Sequence, residues 1–423
     1  MSNRGQVILA TLGTDGDVYP FLALGVELRA RGYQATLATN ESFADRARSA
    51  GLEFCPLVSI PEFEEVLNQP AFWHPIQGPA MMARWGARLL RRQYEVLSGL
   101  AAAQPAILVA SPGVLTARFV QEKLGVPLVS VVLQPWMLPS VFAPPVMMGG
   151  VSLPQWSPRP VVKIYFRLLD EIGAWLMGPE LKRLRASLGL RPVRRMFQWW
   201  LSPELVVGLF PGWFGEPQPD WPGQVRLAGF PLHDGQADSG VPADTLEFCR
   251  AGSPPVAFTF GTGMRHAAGL FQTAIEACRG LGARAIFLTK FRGQLPRELP
   301  PFAHHCEFAP FQKLFPLCSG VVHHGGVGTV AKALAAGTPQ LIVPFAYDQL
   351  DNALRVKRLG TGDWLTRGRR HAGGMAVALE KTIHAQVAVQ ARTIASRCQA
   401  PSGIQCAADL IDDIRAKRNT AER

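Results

Sequence analysis

Val321-Val322-His323-His324-Gly325-Gly326-Val327-Gly328-Thr329, followed one helical run and one apolar run later by Tyr347-Asp348-Gln349-Leu350-Asp351-Asn352, is the stretch that decides the fold. It reads as strand, glycine turn, helix, strand, polar loop. Val321 and Val322 close an apolar strand. Gly325, Gly326 and Gly328 carry no Cβ, so backbone N–H groups there can approach a ligand closely. Thr329 opens a helical run, Val330 to Ala336, which Gly337 stops as a C-terminal cap. The start of such a helix offers unpaired N–H groups and partial positive charge, which suits a diphosphate. Pro339 to Phe345 predicts the next buried strand. Asp348 and Gln349 then fall on the loop at its carboxyl end, where open α/β sheets bind ligands. A carboxylate beside a carboxamide suits sugar hydroxyls. A phosphate site followed one βα unit later by a hydroxyl site predicts a nucleotide-sugar pocket.

The same alternation recurs from the start of the chain. Val7 to Leu12 predicts a buried strand, Gly13 to Asp17 its turn, and Val18 to Arg31 a helix stopped by Gly32. Ala35 to Thr39 reads as the second strand, and Ser42 caps a helix ending at Gly51. Repeated βα units imply a parallel sheet, to which Ile107–Ala110 and Leu128–Leu133 add strands. Gly229 to Asp244, rich in Gly, Pro and Asp, reads as a linker, and Val256 to Gly263 starts a second α/β domain. The expected organisation is a first Rossmann-like domain over residues 1–230, a linker over 231–244 and a second Rossmann-like domain over 245–399. A helix over 400–423 ends in the charged run Arg415–Arg423.

A chain of 423 residues suits two such domains. Hydrophobic content of 48% against 18% charged is that of a globular chain. The net charge of +11 and pI near 9.6 favour anionic partners such as a nucleoside diphosphate or an anionic membrane surface. No basic stripe with interleaved aromatics and no zinc-finger spacing is present, which argues against nucleic acid. The 7 cysteines are scattered without a C-x-x-C pair and read as thiols of a reducing compartment. No secretory signal is visible. Leu124 to Pro158 contains no charged residue, but seven prolines interrupt it, so it predicts a strand and a long apolar loop rather than a spanning helix.

Several residues could carry chemistry. Asp17 follows the first strand at the carboxyl edge of its sheet, a place for a general base; the plain alternative is that it caps the following helix. Asp15-Gly16-Asp17 also places two carboxylates on one turn, a pattern that can hold a hard cation. The pair lies far in sequence from the phosphate-binding helix, so no metal or other cofactor is expected. Gly261, Thr262 and Gly263 form a second glycine turn. Neither glycine loop is G-x-G-x-x-G, which counts against a dinucleotide dehydrogenase. His324 after a strand reads equally as a packed side chain. Phe308 could stack on a base or belong to the core. Trp73, Met82, Trp85, Trp136 and Phe142 read either as an adaptable apolar acceptor pocket or as ordinary core.

The donor stretch resembles the signature of UDP-glycosyltransferase-like enzymes with the GT-B fold: His-x-Gly, a Gly/Ser-Thr helix start, a Pro, then Asp/Glu-Gln and an Asn. Within that family the rhamnosyltransferases of rhamnolipid synthesis are similar over nearly the whole chain. They share Gly16-Asp17-Val18, Leu209-Phe210-Pro211, Trp213-Phe214, Asp220-Trp221-Pro222, Gly229-Phe230-Pro231-Leu232 and Asp348-Gln349. The resemblance implies an α/β GT-B architecture, two Rossmann-like domains facing each other across a cleft, with the last helix returning to the first domain.

It also implies roles. Asp17, in Gly16-Asp17-Val18-Tyr19-Pro20, matches the family's base. Gly261, Thr262, Gly263, His323, Gly325, Gly326, Val327, Gly328 and Thr329 match its diphosphate contacts. Phe308 and Pro310 match the place of its nucleobase contact, and Asp348, Gln349 and Asn352 its sugar contacts. The implied reaction is inverting transfer of L-rhamnose from dTDP-L-rhamnose to the hydroxyl of a 3-(3-hydroxyalkanoyloxy)alkanoate. The partners would be the nucleotide sugar, the lipid acceptor and the enzyme that supplies that acceptor, at the inner face of the cytoplasmic membrane. The rivals are another donor, such as UDP-glucose, with a sterol, carotenoid or macrolide acceptor; a non-catalytic partner subunit; and a nucleotide-sugar epimerase of the same fold.

Overall fold

The structure, a computed structural model, describes residues 4–147, 152–232, 240–398 and 402–421. It divides into two compact units, Met1–Pro231 with Pro401–Arg423, and Leu232–Ala400. The heart of the stretch read as a linker, 233–239, lies outside the described residues, and its end at Ala243 already opens the helix Ala243–Arg250.

The first unit holds a parallel sheet of seven strands in the order β3-β2-β1-β4-β5-β6-β7. These are β1 Gln6–Ala10, β2 Gln34–Asn40, β3 Glu53–Val58, β4 Ala106–Ala110, β5 Leu128–Val132, β6 Leu205–Gly208 and β7 Val225–Leu227. β1 and β5 are buried along their whole length. Helices cover both faces of a parallel sheet, so its inner strands are continuous apolar runs such as Val7-Ile8-Leu9-Ala10. The edge strand β7 is only half-buried. The chain winds outward from β1 through β2 and β3, then returns to lay β4 on the other side of β1. That reversal opens a crevice at the carboxyl ends of β1 and β4.

The second unit repeats the plan with six parallel strands in the order β10-β9-β8-β11-β12-β13. They are β8 Val256–Thr259, β9 Ala285–Leu288, β10 Ala303–Cys306, β11 Gly320–His323, β12 Gln340–Ile342 and β13 Gly362–Trp364. Here the reversal falls between β8 and β11, whose register sets Thr259 opposite His323. The residues that follow these two strands are therefore neighbours at the crevice.

Several local expectations shift. The first helix spans Asp15–Ala30, so Asp17 lies in its first turn rather than in a turn before it. The region after β2 is a 3-10 turn, Glu41–Phe43, and a short helix, Ala44–Ser49. The helix after β11 begins at Val327. The apolar stretch Leu124–Pro158 is buried in its middle and open toward its end: Trp136, Met137, Leu138, Val146 and Met147 are buried, whereas Leu124, Phe142 and Trp156 are exposed. Residues 148–151 of that stretch lie outside the described ones.

The C-terminal helix Gly403–Ala421 belongs to the first unit and packs on the Asp15–Ala30 helix. Asp412 accepts from Tyr33 Oη at 2.6 Å, Arg31 at 2.9 Å and Arg4 at 3.0 Å, and Asp409 pairs with Arg31 at 2.6 Å. The bonds from Tyr33 and Arg31 outweigh the cost of burial and hold the Asp412 carboxyl below the usual carboxylate range.

Candidate functional site

In the first unit the site residue is Asp17. Thr14 caps the Asp15–Ala30 helix, and Asp17, three residues on, reaches back so that Thr14 N donates to its Oδ2 at 3.0 Å. Gly13 makes room for this return: its φ of 139° lies in the region that glycine enters freely, and a Cβ there would overlap the Asp17 carboxylate. Burial pushes the Asp17 carboxyl up to about 6, against the lowering effect of the Thr14 bonds, and neighbouring Asp15 adds to the rise. Asp17 therefore caps the helix and also titrates near neutrality, where a proton acceptor works best. Asp15 pairs instead with Arg46 at 3.5 Å, so the two acids of the D-x-D pattern serve different partners.

The second unit brings the two glycine turns together. Gly261 follows β8 and Gly325 follows β11, both with φ of 95°. The His324 ring fills the space between the turns. A Cβ on Gly261 would come within 3.0 Å of its Cε1, and one on Gly326 within 2.5 Å of its Nε2. His324 Nδ1 is buried without a hydrogen-bond partner, and burial lowers the ring's pKa to about 4, so it is a neutral imidazole. Gly326 then caps the ten-residue helix Val327–Ala336 with no side chain on its first-turn N–H groups. Residues Gly326 to Thr329 are partly exposed, leaving the amides of Val327 and Gly328 as donors for an anion.

His323 departs from its expected place against a diphosphate. It is fully buried; its Nδ1 accepts from Gly325 N at 3.1 Å, and its Nε2 pairs with Gln340 Oε1 at 3.0 Å. With both ring nitrogens engaged, it fixes the turn rather than offering a contact. Burial, together with its neighbour His324, drives its pKa to about 3. Strand alternation separates the two histidines: His323 ends β11 inside the core, and the partly buried His324 lies on the side of the two glycine turns.

The polar loop after β12 is tied to the same turn. Asn352 Nδ2 donates to Gly325 O at 2.9 Å and to Asp348 Oδ2 at 2.6 Å. Gln349 Oε1 accepts from Phe345 N at 2.7 Å and from Ala346 N at 3.2 Å. Gln349 and Asn352, expected as sugar contacts, are nearly or fully buried and use these groups to shape the loop. Tyr347, between them and β12, holds φ of 60°, a left-handed conformation rare outside glycine. Such stored strain gathers where loops are built for ligands. Phe308 is exposed, and Pro310 caps a short helix, Phe311–Leu314. Thr262 is exposed and Gly263 buried.

The five acceptor candidates lie on several elements of the first unit. Trp73 meets Phe72 edge-on at 4.9 Å. Met82 and Trp85 lie on the helix Gln77–Ala103, Met82 partly exposed and Trp85 buried. Trp136 is buried edge-on against Trp200 at 6.3 Å. Phe142 lies under the guanidinium of Arg159 at 4.0 Å. Among the described residues no group of three or more His, Cys, Asp or Glu side chains could hold a metal ion.

Comparison with known proteins places this geometry. Residues 7–143 match the glycosyltransferase family 28 N-terminal domain, and residues 285–412 match the erythromycin biosynthesis protein CIII-like C-terminal domain. Glycosyltransferase GtfE of Amycolatopsis orientalis is 30% identical over 96% of this chain and 97% of its own length. The O-mycaminosyltylonolide 6-deoxyallosyltransferase of Streptomyces fradiae is 29% identical over 98% and 99%. The spinosyn rhamnosyltransferase SpnG, solved with thymidine diphosphate, superposes with a TM-score of 0.69 at 19% identity over 96% of this chain and 99% of its own.

Proposed function

Because the chain belongs to the nucleotide-sugar glycosyltransferases of the GT-B fold, we propose that it transfers L-rhamnose from dTDP-L-rhamnose, with inversion, to the hydroxyl of a 3-(3-hydroxyalkanoyloxy)alkanoate. The observation that carries the reaction type is Asp17: a positioned carboxyl at the reversal of the first sheet whose pKa is raised to about 6. Asp17 takes the proton of the acceptor hydroxyl as that oxygen attacks the anomeric carbon. The bond from that carbon to the diphosphate oxygen breaks on the opposite face, and the nucleoside diphosphate leaves.

The second unit holds the donor. The free amides at Val327 and Gly328, the turns at Gly261–Gly263 and Gly325–Gly326, and the neutral His324 ring receive the diphosphate. Helix dipole and N–H groups offset the developing charge without a metal. Phe308 stacks on the base beside Pro310. Asp348 binds sugar hydroxyls, in a loop that Gln349 and Asn352 hold. Trp73, Met82, Trp85, Trp136 and Phe142 belong to the acceptor side. A thymidine diphosphate complex of the same fold and a relative named for 6-deoxyallosyl transfer support a dTDP-linked 6-deoxyhexose.

No described helix is long and apolar enough to cross a membrane. We place the protein at the inner face of the cytoplasmic membrane as a peripheral partner of the enzyme that makes the acyl acceptor. A second reading keeps the chemistry and changes both substrates, to another nucleotide sugar and a macrolide or sterol. The names of relatives favour it, among them a sterol 3-beta-glucosyltransferase of Candida albicans of which this chain covers 24%. A panel of dTDP-rhamnose and UDP-glucose against hydroxyacyl lipids, sterols and macrolide aglycones, read by mass spectrometry, separates the two. Product only from UDP-glucose or only on a polycyclic acceptor overturns the first.

A further inference from the structure

Five exposed apolar side chains stand in line on the helix Arg159–Ser187 of the first unit: Val161, Ile164, Leu168, Ile172 and Trp175. Steps of three, four, four and three residues keep them on one face. At about 1.5 Å per residue the line runs for roughly 21 Å. The buried face of the helix is a different one, carried by Val162, Leu181 and Leu184. Trp175 is 72% exposed, and Trp156, three residues ahead of the helix, is 84% exposed. Neither indole has a hydrogen bond or ring contact with a described residue. A continuous exposed apolar strip marks an interaction surface.

The charges around the strip say what covers it. Lys163 and Arg167, exposed and one turn apart, run beside it, and Glu171 is the acid that continues their row. The helix Gln77–Ala103 packs alongside and carries Arg84, Arg88 and Arg91 on one exposed face. None of these five cations is ion-paired with a described acid. A two-fold pairing of strips would set that cationic surround against its own copy, whereas an anionic lipid surface neutralises it. Tryptophan suits the same boundary, its ring in the apolar layer and its N–H in the wet one. The strip also starts near the edge of the sheet where Asp17 lies. Arg159 sits over Phe142 at 4.0 Å, on the chain that leaves the carboxyl end of β5, and Asp17 follows the carboxyl end of β1 in the same parallel sheet.

We propose that this strip docks the first unit on an anionic lipid surface. The helix Arg159–Ser187 lies in the plane of the headgroups, with Ile164, Leu168 and Ile172 at the acyl boundary and Lys163 and Arg167 against lipid phosphates. The inference rests on the peripheral placement proposed above and names the surface that accomplishes it. Flotation of the full chain with vesicles tests it. Vesicles of equal parts phosphatidylglycerol and phosphatidylcholine bind the protein, high salt releases it, and phosphatidylcholine alone holds it at least tenfold more weakly. Leu168→Glu with Ile172→Glu, both on exposed positions, weakens binding to the anionic vesicles more than tenfold and leaves dTDP binding unchanged. Lys163→Gln with Arg167→Gln weakens it roughly tenfold and removes part of the salt dependence. Binding that survives the Leu168/Ile172 change overturns this surface and leaves the peripheral placement standing, whereas no binding to either vesicle overturns both. Equal binding to neutral and anionic vesicles overturns the charge argument and the proposal with it. A dimer in solution that the Leu168/Ile172 change splits, without vesicle binding, gives the strip to a second copy instead. None of these results bears on Asp17.

Discussion

Replacing Asp17 with Asn should remove transfer and stabilise the fold at the same time. The carboxyl titrates at about 6 in the folded protein against an ordinary 3.8. Such a group stabilises the fold in its protonated form, fully below pH 3.8, and that contribution is lost as the pH rises through 6. At pH 7 a difference of roughly two units at 1.36 kcal/mol each costs the folded state about 3 kcal/mol. Asparagine cannot ionise, and its carbonyl oxygen still accepts from Thr14 N. For a unit of this size each kcal/mol is worth roughly 2–4 °C, so Asp17→Asn should melt roughly 6–12 °C above the parent protein at pH 7. At pH 5 the gain should shrink to roughly half, because the parent carboxyl is then mostly protonated. Turnover should fall on the order of 10²–10⁴-fold, and kcat/KM of the parent should decline below pH about 6, where Asp17 gains its proton. Thermal melts at the two pH values, paired with turnover by mass spectrometry, make the check. A mutant that turns over normally refutes the base. A mutant less stable than the parent at pH 7 refutes the strained carboxyl, whatever its activity.

The two histidines should separate cleanly. His323→Ala should lower the melting temperature, by a loss of roughly 2–3 kcal/mol, since Gly325 N and the Gln340 amide lose their buried partner. His324→Ala should leave the melt nearly unchanged and weaken dTDP about tenfold in a direct titration; the reverse pattern would restore His323 to the ligand. Asp348→Ala should weaken dTDP-rhamnose more than dTDP, and equal losses for both would contradict a hydroxyl-binding role. Asp412→Asn should destabilise the first unit by roughly 1–3 kcal/mol at neutral pH. That difference should vanish in acid, as the pH falls through the depressed pKa of Asp412, and a urea melt at two pH values reads it. Chelation with EDTA should leave the transfer rate unchanged, and a loss restored by Mg²⁺ would return the Asp15–Asp17 pair to metal binding.

The sequence announced the architecture because its inner strands are two-faced. Val7–Ala10, Leu128–Val132 and Val256–Thr259 stand out as apolar runs bounded by glycine or proline. The edges were harder. Ala303–Cys306 and Gly362–Trp364 are short and half-buried, and Glu53–Val58 is exposed or half-buried over its first four residues with Pro56 within it, so no apolar run marks them. At the site, glycine spacing located both turns, since only glycine permits φ of 95° beside a packed ring. It could not say which histidine faces outward, nor that Asn352 and Gln349 would spend their amides on backbone groups 27 and 4 residues away. Those facts depend on strand phase and on long-range contacts, which a linear motif does not encode.

The Asn352 amide bridges Gly325 O and Asp348 Oδ2. Through it, the loop proposed to hold the sugar and the turn proposed to hold the diphosphate share one fastening, and on that reading their affinities are linked reciprocally. A donor that satisfies Asp348 thereby steadies the turn at Gly325. On the same reading, once the sugar has departed onto the acceptor that support is withdrawn, and the spent nucleotide is left in a slackened seat. Removing the bridge with Asn352→Ala should narrow the gap between the affinities for nucleotide sugar and free nucleotide, and slow the exchange of the product relative to its binding strength. An unchanged gap would mean the two grips act alone.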